Sequence, residues 1–156
     1  MRVVILAGVL QFCLAPRLAV LRVKPDFLLL AVVGFALHRG TVPGCLLGVA
    51  AGLMEDIVVA QYLGVRAVAL ALVGLVVGQA RARMFGDQPL VPVFAALGGT
   101  ALADLISWAV WRMLGVPLPF GMGVVRVVLP ATLYNGLLAP LVLGWWVRRG
   151  LRAREV

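Results

Sequence analysis

The stretch Val127–Val147, VVLPATLYNGLLAPLVLGWWV, decides the fold because it carries no charged residue over its whole length. A helix of about 20 residues crosses the hydrocarbon core of a bilayer, so this stretch can span a membrane unaided. The whole chain agrees, since 63% of its 156 residues are apolar and 13% are charged. Soluble domains are typically about 45–50% apolar and about 25% charged. The sequence therefore predicts a membrane protein.

A second stretch, Ala67–Val77 (AVALALVGLVV), argues against a membrane β-barrel. Barrel strands alternate apolar and polar residues, whereas this run has no polar side chain. We therefore predict an all-α membrane protein, a compact bundle of about six transmembrane helices that forms one integral-membrane domain over residues 1–156. Turn residues and prolines place the helices at residues 2–16, 26–38, 41–60, 65–82, 89–113 and 123–148.

The basic residues predict how the bundle lies in the membrane. The net charge is +8, and arginines concentrate in the Arg81–Arg83 loop and in Arg148–Arg154. Because cytoplasmic loops are enriched in Lys and Arg, we predict that both termini are cytoplasmic. A strongly basic soluble protein would suggest nucleic acid. Here the charge is explained by anionic membrane lipids, and we expect no nucleic-acid partner.

Small residues recur at the spacing that brings helices close together. The third predicted helix carries Gly44, Gly48 and Gly52, and the fourth carries Gly74 and Gly78. Glycines four residues apart form a smooth helix face that lets a second backbone approach closely. We favour packing inside the bundle, with a docking face for another protein as the alternative. Self-association into a homodimer also stays open.

Four acids lie in or beside predicted spans, where a charge is costly. They are Asp26, Glu55, Asp56 and Asp104. We predict a buried ion-pair network in which Arg66 pairs with Asp56. Arg126 is the expected partner of Asp104. A site for a small ligand or an ion is the alternative interpretation.

The last predicted helix adds polar groups to this network. Tyr134 and Asn135 lie between Pro130 and Pro140, and Asn135 can hydrogen-bond to a neighbouring helix. We favour a kink that is satisfied by packing, with a movable gate as the alternative. No nucleophile–base pair, metal-ligand spacing or phosphate-binding loop is present in the sequence. We therefore predict no enzyme activity, no cofactor and no metal.

The order of these motifs resembles the MreD family of bacterial rod-shape-determining membrane proteins, over nearly the whole chain. The motifs are Lys24-Pro25-Asp26 before Leu28-Leu29-Leu30, His38-Arg39-Gly40, the glycines through Gly52, Glu55-Asp56, the helix opening at Gly64, Leu129-Pro130, Leu133-Tyr134-Asn135 and Ala139-Pro140. Where the family commonly has Leu-Asp after the glycines, this chain has Glu55-Asp56. We carry the family's position over to Asp56 only.

The resemblance implies a non-enzymatic component of the elongation machinery in the bacterial inner membrane. It implies partnership with MreC, and indirectly with the actin-like MreB and with the RodA glycosyltransferase and its transpeptidase. It also implies a fold similar to the substrate-binding subunits of energy-coupling-factor transporters. A vitamin-type binding subunit of a membrane transporter is therefore the alternative function.

Overall fold

The structure is a computed structural model that describes residues 2–13, 25–59, 63–83, 90–116 and 128–152. In these residues the chain is helical, with six helices. They are α1 (Arg2–Cys13), α2 (Phe27–Arg39), α3 (Thr41–Val59), α4 (Val65–Arg83), α5 (Val91–Met113) and α6 (Leu129–Arg152). The predicted all-α architecture with six helices is confirmed.

Local chemistry sets several helix ends. The Asp26 side chain caps α2, since its Oδ1 accepts the Leu29 N–H at 2.8 Å. Gly40, with φ of +92°, ends α2 and is the single residue before α3. This left-handed φ is easily adopted only by glycine. Gly40 alone thus connects α2 to α3, and no other connection within the described residues is as short.

Among the helix bounds that the described residues cover, the largest difference from prediction is at the end of the last helix. The last helix was expected to end at residue 148, whereas α6 runs to Arg152. Residues 14–16 and 123–127 of the predicted helices lie outside the described residues. Pro140 lies inside α6, which continues past it. Proline has no N–H, so it cannot donate to the carbonyl oxygen one turn earlier.

The short helix α2 forms the centre of the bundle. It contacts α1, α3, α4, α5 and α6. Its 13 residues span about 20 Å at 1.5 Å per residue, less than the roughly 30 Å hydrocarbon core. Its fully buried residues are Leu28, Leu29, Leu30, Val32, Val33 and Ala36. The neighbouring helices therefore enclose it almost completely.

Helices α3 and α4 pack antiparallel along their glycines. We call Gly44, Gly48, Gly52, Gly74 and Gly78 the glycine seam. A Cβ atom at Gly52 would lie 2.5 Å from the Ala67 nitrogen, and one at Gly78 would lie 2.5 Å from the Thr41 Cα. Such distances are too short for real Cβ atoms. The seam thus places the two backbones in direct contact inside the chain.

The outer surface of the bundle carries apolar side chains. On α3, residues three or four apart are exposed, and on α6 exposed leucines recur every four residues. They are Val42, Leu46, Val49, Leu53 and Ile57 on α3 and Leu129, Leu133, Leu137 and Leu141 on α6. Helices α3 and α5 are long and apolar enough to cross a membrane.

Candidate functional site

The predicted acids come together around one arginine at one end of the bundle. Arg66 lies in the first turn of α4, which starts at the end where α2 also begins and α3 ends. We call Asp26, Glu55, Arg66 and Asp104 the Arg66 cluster, and this end of the bundle the cluster end. The four residues come from α4, α3, α5 and the N-cap of α2. One guanidinium thus connects four parts of the bundle.

The guanidinium contacts a different carboxylate through each of its nitrogens. Arg66 Nε donates to Glu55 Oε2 at 3.1 Å, and Nη1 donates to Asp104 Oδ1 at 3.4 Å. Nη2 donates to Asp26 Oδ2. The Arg66 side chain is 16% exposed, and those of Glu55 and Asp104 are each 19% exposed. The pairs are therefore mostly shielded from solvent, where charge attraction is stronger than at a surface.

Asp56 has a different role from its neighbour Glu55. Its two oxygens accept the backbone N–H groups of Gly64, Arg66 and Ala67 at 2.9, 3.1 and 3.1 Å. The first turn of a helix has N–H groups without intrahelical partners. A carboxylate near these groups also interacts favourably with the positive end of the helix dipole. Asp56 therefore fixes the start of α4 and the turn that carries Arg66. The positive φ of Gly64 (+100°) shapes the same turn.

A buried polar chain continues from the cluster into the bundle. The Asp26 N–H donates to Asn135 Oδ1 at 2.9 Å, and Asn135 Nδ2 donates to Thr100 Oγ1 at 3.2 Å. Thr100 in turn donates to the Ala96 carbonyl oxygen at 2.8 Å. Asn135 and Thr100 are each 1% exposed. Helices α5 and α6 are thus linked to the cluster through Asp26.

A cavity of about 210 Å³ lies beside the cluster. Its wall includes carboxylates, the guanidinium, a hydroxyl, an indole ring and two valines. The lining residues are Glu55, Asp56, Val59, Val65, Arg66, Asp104, Ser107 and Trp111. Within the described residues, no group of three or more His, Cys, Asp or Glu is arranged to hold a metal ion. The cavity therefore offers polar contacts of several kinds without an evident metal centre.

The structure changes the expected pairing of the charges. Arg66 was expected to pair with Asp56, but the oxygens of Asp56 accept backbone N–H groups, and the Arg66 side chain contacts other acids. Asp104, expected beside Arg126, contacts Arg66. Arg126 itself lies outside the described residues. The reason is that α2 lies at the centre, which brings Asp26 and α5 to the start of α4.

The other predicted residues lie in separate places. Asn135 joins the polar chain, whereas Tyr134, the next residue back on α6, is half-buried. The glycines of the seam lie along α3 and α4, and Gly44 also approaches Ala36 on α2.

Sequence reasoning missed two polar residues of this network. Gln11 Oε1 accepts the Phe27 N–H at 2.7 Å and joins α1 to the start of α2. Thr100 is the partner of Asn135. Apart from Arg2 at its start, Gln11 is the one polar residue of helix α1, which is a signal that could have drawn attention to it.

A family model described as MreD, rod shape-determining protein MreD, matches residues 1–153 of the chain. The chain belongs to the MreD family. The resemblance found in the residues is thereby confirmed. Neither the comparison with curated proteins nor that with solved structures gives a match. The similarity to substrate-binding subunits of energy-coupling-factor transporters therefore stays a prediction.

Membership of the MreD family gives the general role of the protein. It is a family of membrane proteins that determine rod shape, and its role is structural. Two helices of this chain are long and apolar enough to cross a membrane, in agreement with that setting.

Proposed function

We propose that this chain is a non-enzymatic scaffold of the bacterial cell-elongation complex in the inner membrane. It binds the transmembrane helix of MreC and so helps to couple the MreB filament to RodA and its transpeptidase. The observation that carries the proposal is the match to the rod shape-determining family over residues 1–153. The proposal extends that family role to named partners.

The way the charged groups are used supports a scaffold. Within the described part of the chain, Asp26, Glu55 and Asp104 all contact Arg66, and Asp56 caps α4. Each of these groups joins two or more elements of the bundle. Groups held in this way are suited to fixing helix positions, which a scaffold requires for constant spacing between its partners.

The exposed apolar residues of α3 and α6 support a partner that lies in the membrane. Both helices present side chains at helical spacing on their outer faces, including Leu46 at 65% and Leu137 at 73% exposure. Such faces suit lipid or a partner helix, whereas the glycine seam is already used between α3 and α4. We therefore place the MreC contact on an outer apolar face.

The charges at the two ends support an orientation. Arg39 and Arg81 are exposed at the ends of α2 and α4, opposite the cluster end. Lys and Arg are enriched on the cytoplasmic side of membrane proteins. We therefore propose a multi-pass topology in which the end of the bundle that carries Arg39 and Arg81, and both chain termini, face the cytoplasm. Cysteine labelling from outside sealed cells should then modify a cysteine introduced at Gly121 and leave one at Arg154 unmodified. Labelling at Arg154 would contradict this orientation.

Co-purification tests the partner directly. The tagged full chain, solubilised in mild detergent from cells that express MreC, should retain MreC at a constant ratio, measured by quantitative mass spectrometry. Charged substitutions on α3, such as Leu46→Glu, and on α6, such as Leu137→Glu, show which outer face is used. Their matched control is Arg81→Glu, which places a glutamate at an exposed position that is already polar, near the end of α4. If MreC is absent from every preparation, the scaffold proposal is wrong.

The cavity favours a second candidate, a vitamin-type binding subunit of a membrane transporter. Polar groups converge there, as in ligand sites. However, about 210 Å³ is smaller than the roughly 300–1,000 Å³ of typical small-molecule pockets. Co-purification of an energising ATPase module, together with tight binding of a vitamin, would favour the transporter instead.

A further inference from the structure

The described contacts leave the Arg66 cluster with unbalanced charge. Three carboxylates contact one guanidinium, so the fully ionised cluster carries three negative charges against one positive charge. The carboxylate side chains are 9% to 19% exposed, which limits the compensation that water can provide. In addition, Asp104 Oδ2 is buried and accepts no hydrogen bond. Among the described residues, Arg66 is the one cation in contact with these three carboxylates, and Asp104 Oδ2 has no hydrogen-bond donor, so the described part of the cluster could take up a further positive charge and further donors.

The adjoining cavity has room for a group that supplies both positive charge and hydrogen-bond donors. Its volume of about 210 Å³ is far more than the roughly 10–15 Å³ needed to hold one water molecule. Glu55 and Asp104 form part of its wall. A group that enters would thus lie beside two of the three carboxylates that share Arg66.

The other lining residues indicate an organic cation. The described acids are not arranged to hold a metal ion. The Trp111 indole ring is part of the wall, and aromatic rings attract ammonium groups through the face of the ring. Ser107 is 6% exposed and donates its proton to the Ala103 carbonyl oxygen, so its own oxygen can accept. Val59 and Val65 complete an apolar side suited to a short carbon chain.

We propose that this cavity binds a primary ammonium group, which hydrogen-bonds to Glu55 and Asp104 beside the Trp111 ring. A primary ammonium provides one positive charge and three donors in a compact group. Two sources carry it at this end of a membrane protein: a free amine in solution and the headgroup of an aminophospholipid. The inference goes beyond the scaffold role, and its failure would leave that role untouched.

Thermal unfolding of the purified full chain in detergent tests the proposal with four probes. They are ethanolamine, short-chain phosphatidylethanolamine, short-chain phosphatidylcholine and short-chain phosphatidylglycerol, all at constant ionic strength. We expect a saturable rise in the unfolding midpoint with a primary ammonium. Stabilisation by ethanolamine itself identifies a free amine, and stabilisation by phosphatidylethanolamine alone identifies the lipid. Phosphatidylcholine has no N–H donor and phosphatidylglycerol has no ammonium, so neither should match the effect.

Paired variants locate the site. Glu55→Gln combined with Asp104→Asn keeps the shape of the wall and leaves Asp26 to pair with Arg66, and should weaken apparent binding about tenfold or more. The matched control, Asp87→Asn combined with Glu155→Gln, removes two charges at positions far from the cluster in sequence and should leave binding unchanged. Trp111→Leu should also weaken binding. Equal stabilisation by all three lipids, no saturable rise with either amine, or unchanged binding in the Glu55/Asp104 variant would overturn the proposal.

Discussion

The glycine seam and the Arg66 cluster both hold α4 against its neighbours, but by opposite means. The seam works because side chains are missing, so that Gly48 lies against the backbone of Leu70 and Ala71. The cluster works because four charged side chains are present and meet at Arg66. The seam should therefore be sensitive to added atoms, and the cluster to removed charges.

Loss of the central cation should have the largest effect. Arg66→Ala leaves Asp26, Glu55 and Asp104 without their shared partner, and we expect a loss of about 3–5 kcal/mol in the free energy of unfolding. Chemical unfolding of the solubilised chain, followed by tryptophan fluorescence, measures it. Arg81→Ala, which removes an exposed arginine on the same helix, is the control and should have little effect. Equal stability of the two variants would contradict the central role of the cluster.

Adding one methyl group to the seam should have the next largest effect. In Gly48→Ala the new Cβ would overlap the backbone of Leu70 and Ala71, so α3 and α4 must separate. We expect a cost of about 1–3 kcal/mol, the usual range for overpacking. Gly98→Ala is the control, because a Cβ at Gly98 meets no atom within 4 Å. The same unfolding assay compares the two variants. If Gly48→Ala is as stable as Gly98→Ala, the glycine seam is not closely packed.

Double mutants should show that residues within the Arg66 cluster are coupled in stability, whereas the cluster and the glycine seam are independent. Asp104→Asn and Arg66→Gln alter a contacting pair, and the double variant should cost about 0.5–3 kcal/mol less than the sum of the single variants. Gly78→Ala and Arg66→Gln change positions 12 residues apart on α4, about 18 Å along its axis, and their effects should add. Strict additivity at Asp104 would show that the pair contributes no coupling.

The smallest expected effect concerns the link between α1 and α2. Gln11→Ala removes the acceptor of the Phe27 N–H and should cost about 0.5–1.5 kcal/mol. Gln79→Ala, at an exposed position on α4, serves as the control and should be neutral. Hydrogen exchange at the first turn of α2 should rise in the first variant only. Unchanged exchange there would show that Gln11 does not hold this turn.

Much of the fold could be predicted because lipid imposes simple rules on a chain. Charge-free runs, prolines and glycines gave the six helices in order, and the spacing of Gly44, Gly48 and Gly52 indicated close backbone contact. The four-residue spacing of the glycines did not identify α4 as the helix that packs against α3, since any helix with a smooth face could pack there.

The candidate site was predicted by residue type but not by pairing. Asp26, Glu55, Asp56 and Asp104 stood out because acids are rare in membrane spans. Which acid meets Arg66 depends on the arrangement of the helices, and only the central place of α2 brings Asp26 to it. Thr100 gave no signal at all, because threonine is ordinary in an apolar helix and its partner Asn135 lies on another helix.

The enclosed position of α2 has a consequence for the synthesis of the protein. A 13-residue segment with His38 and Arg39 in its last turn is too short to enter the lipid as an independent span. Since Gly40 alone separates it from α3, we expect the two helices to enter the bilayer together as one hairpin, with α2 stable there once α4 and α5 have been made and cover it. On this expectation, the first third of the chain reaches its final position in the membrane only when the later helices are complete.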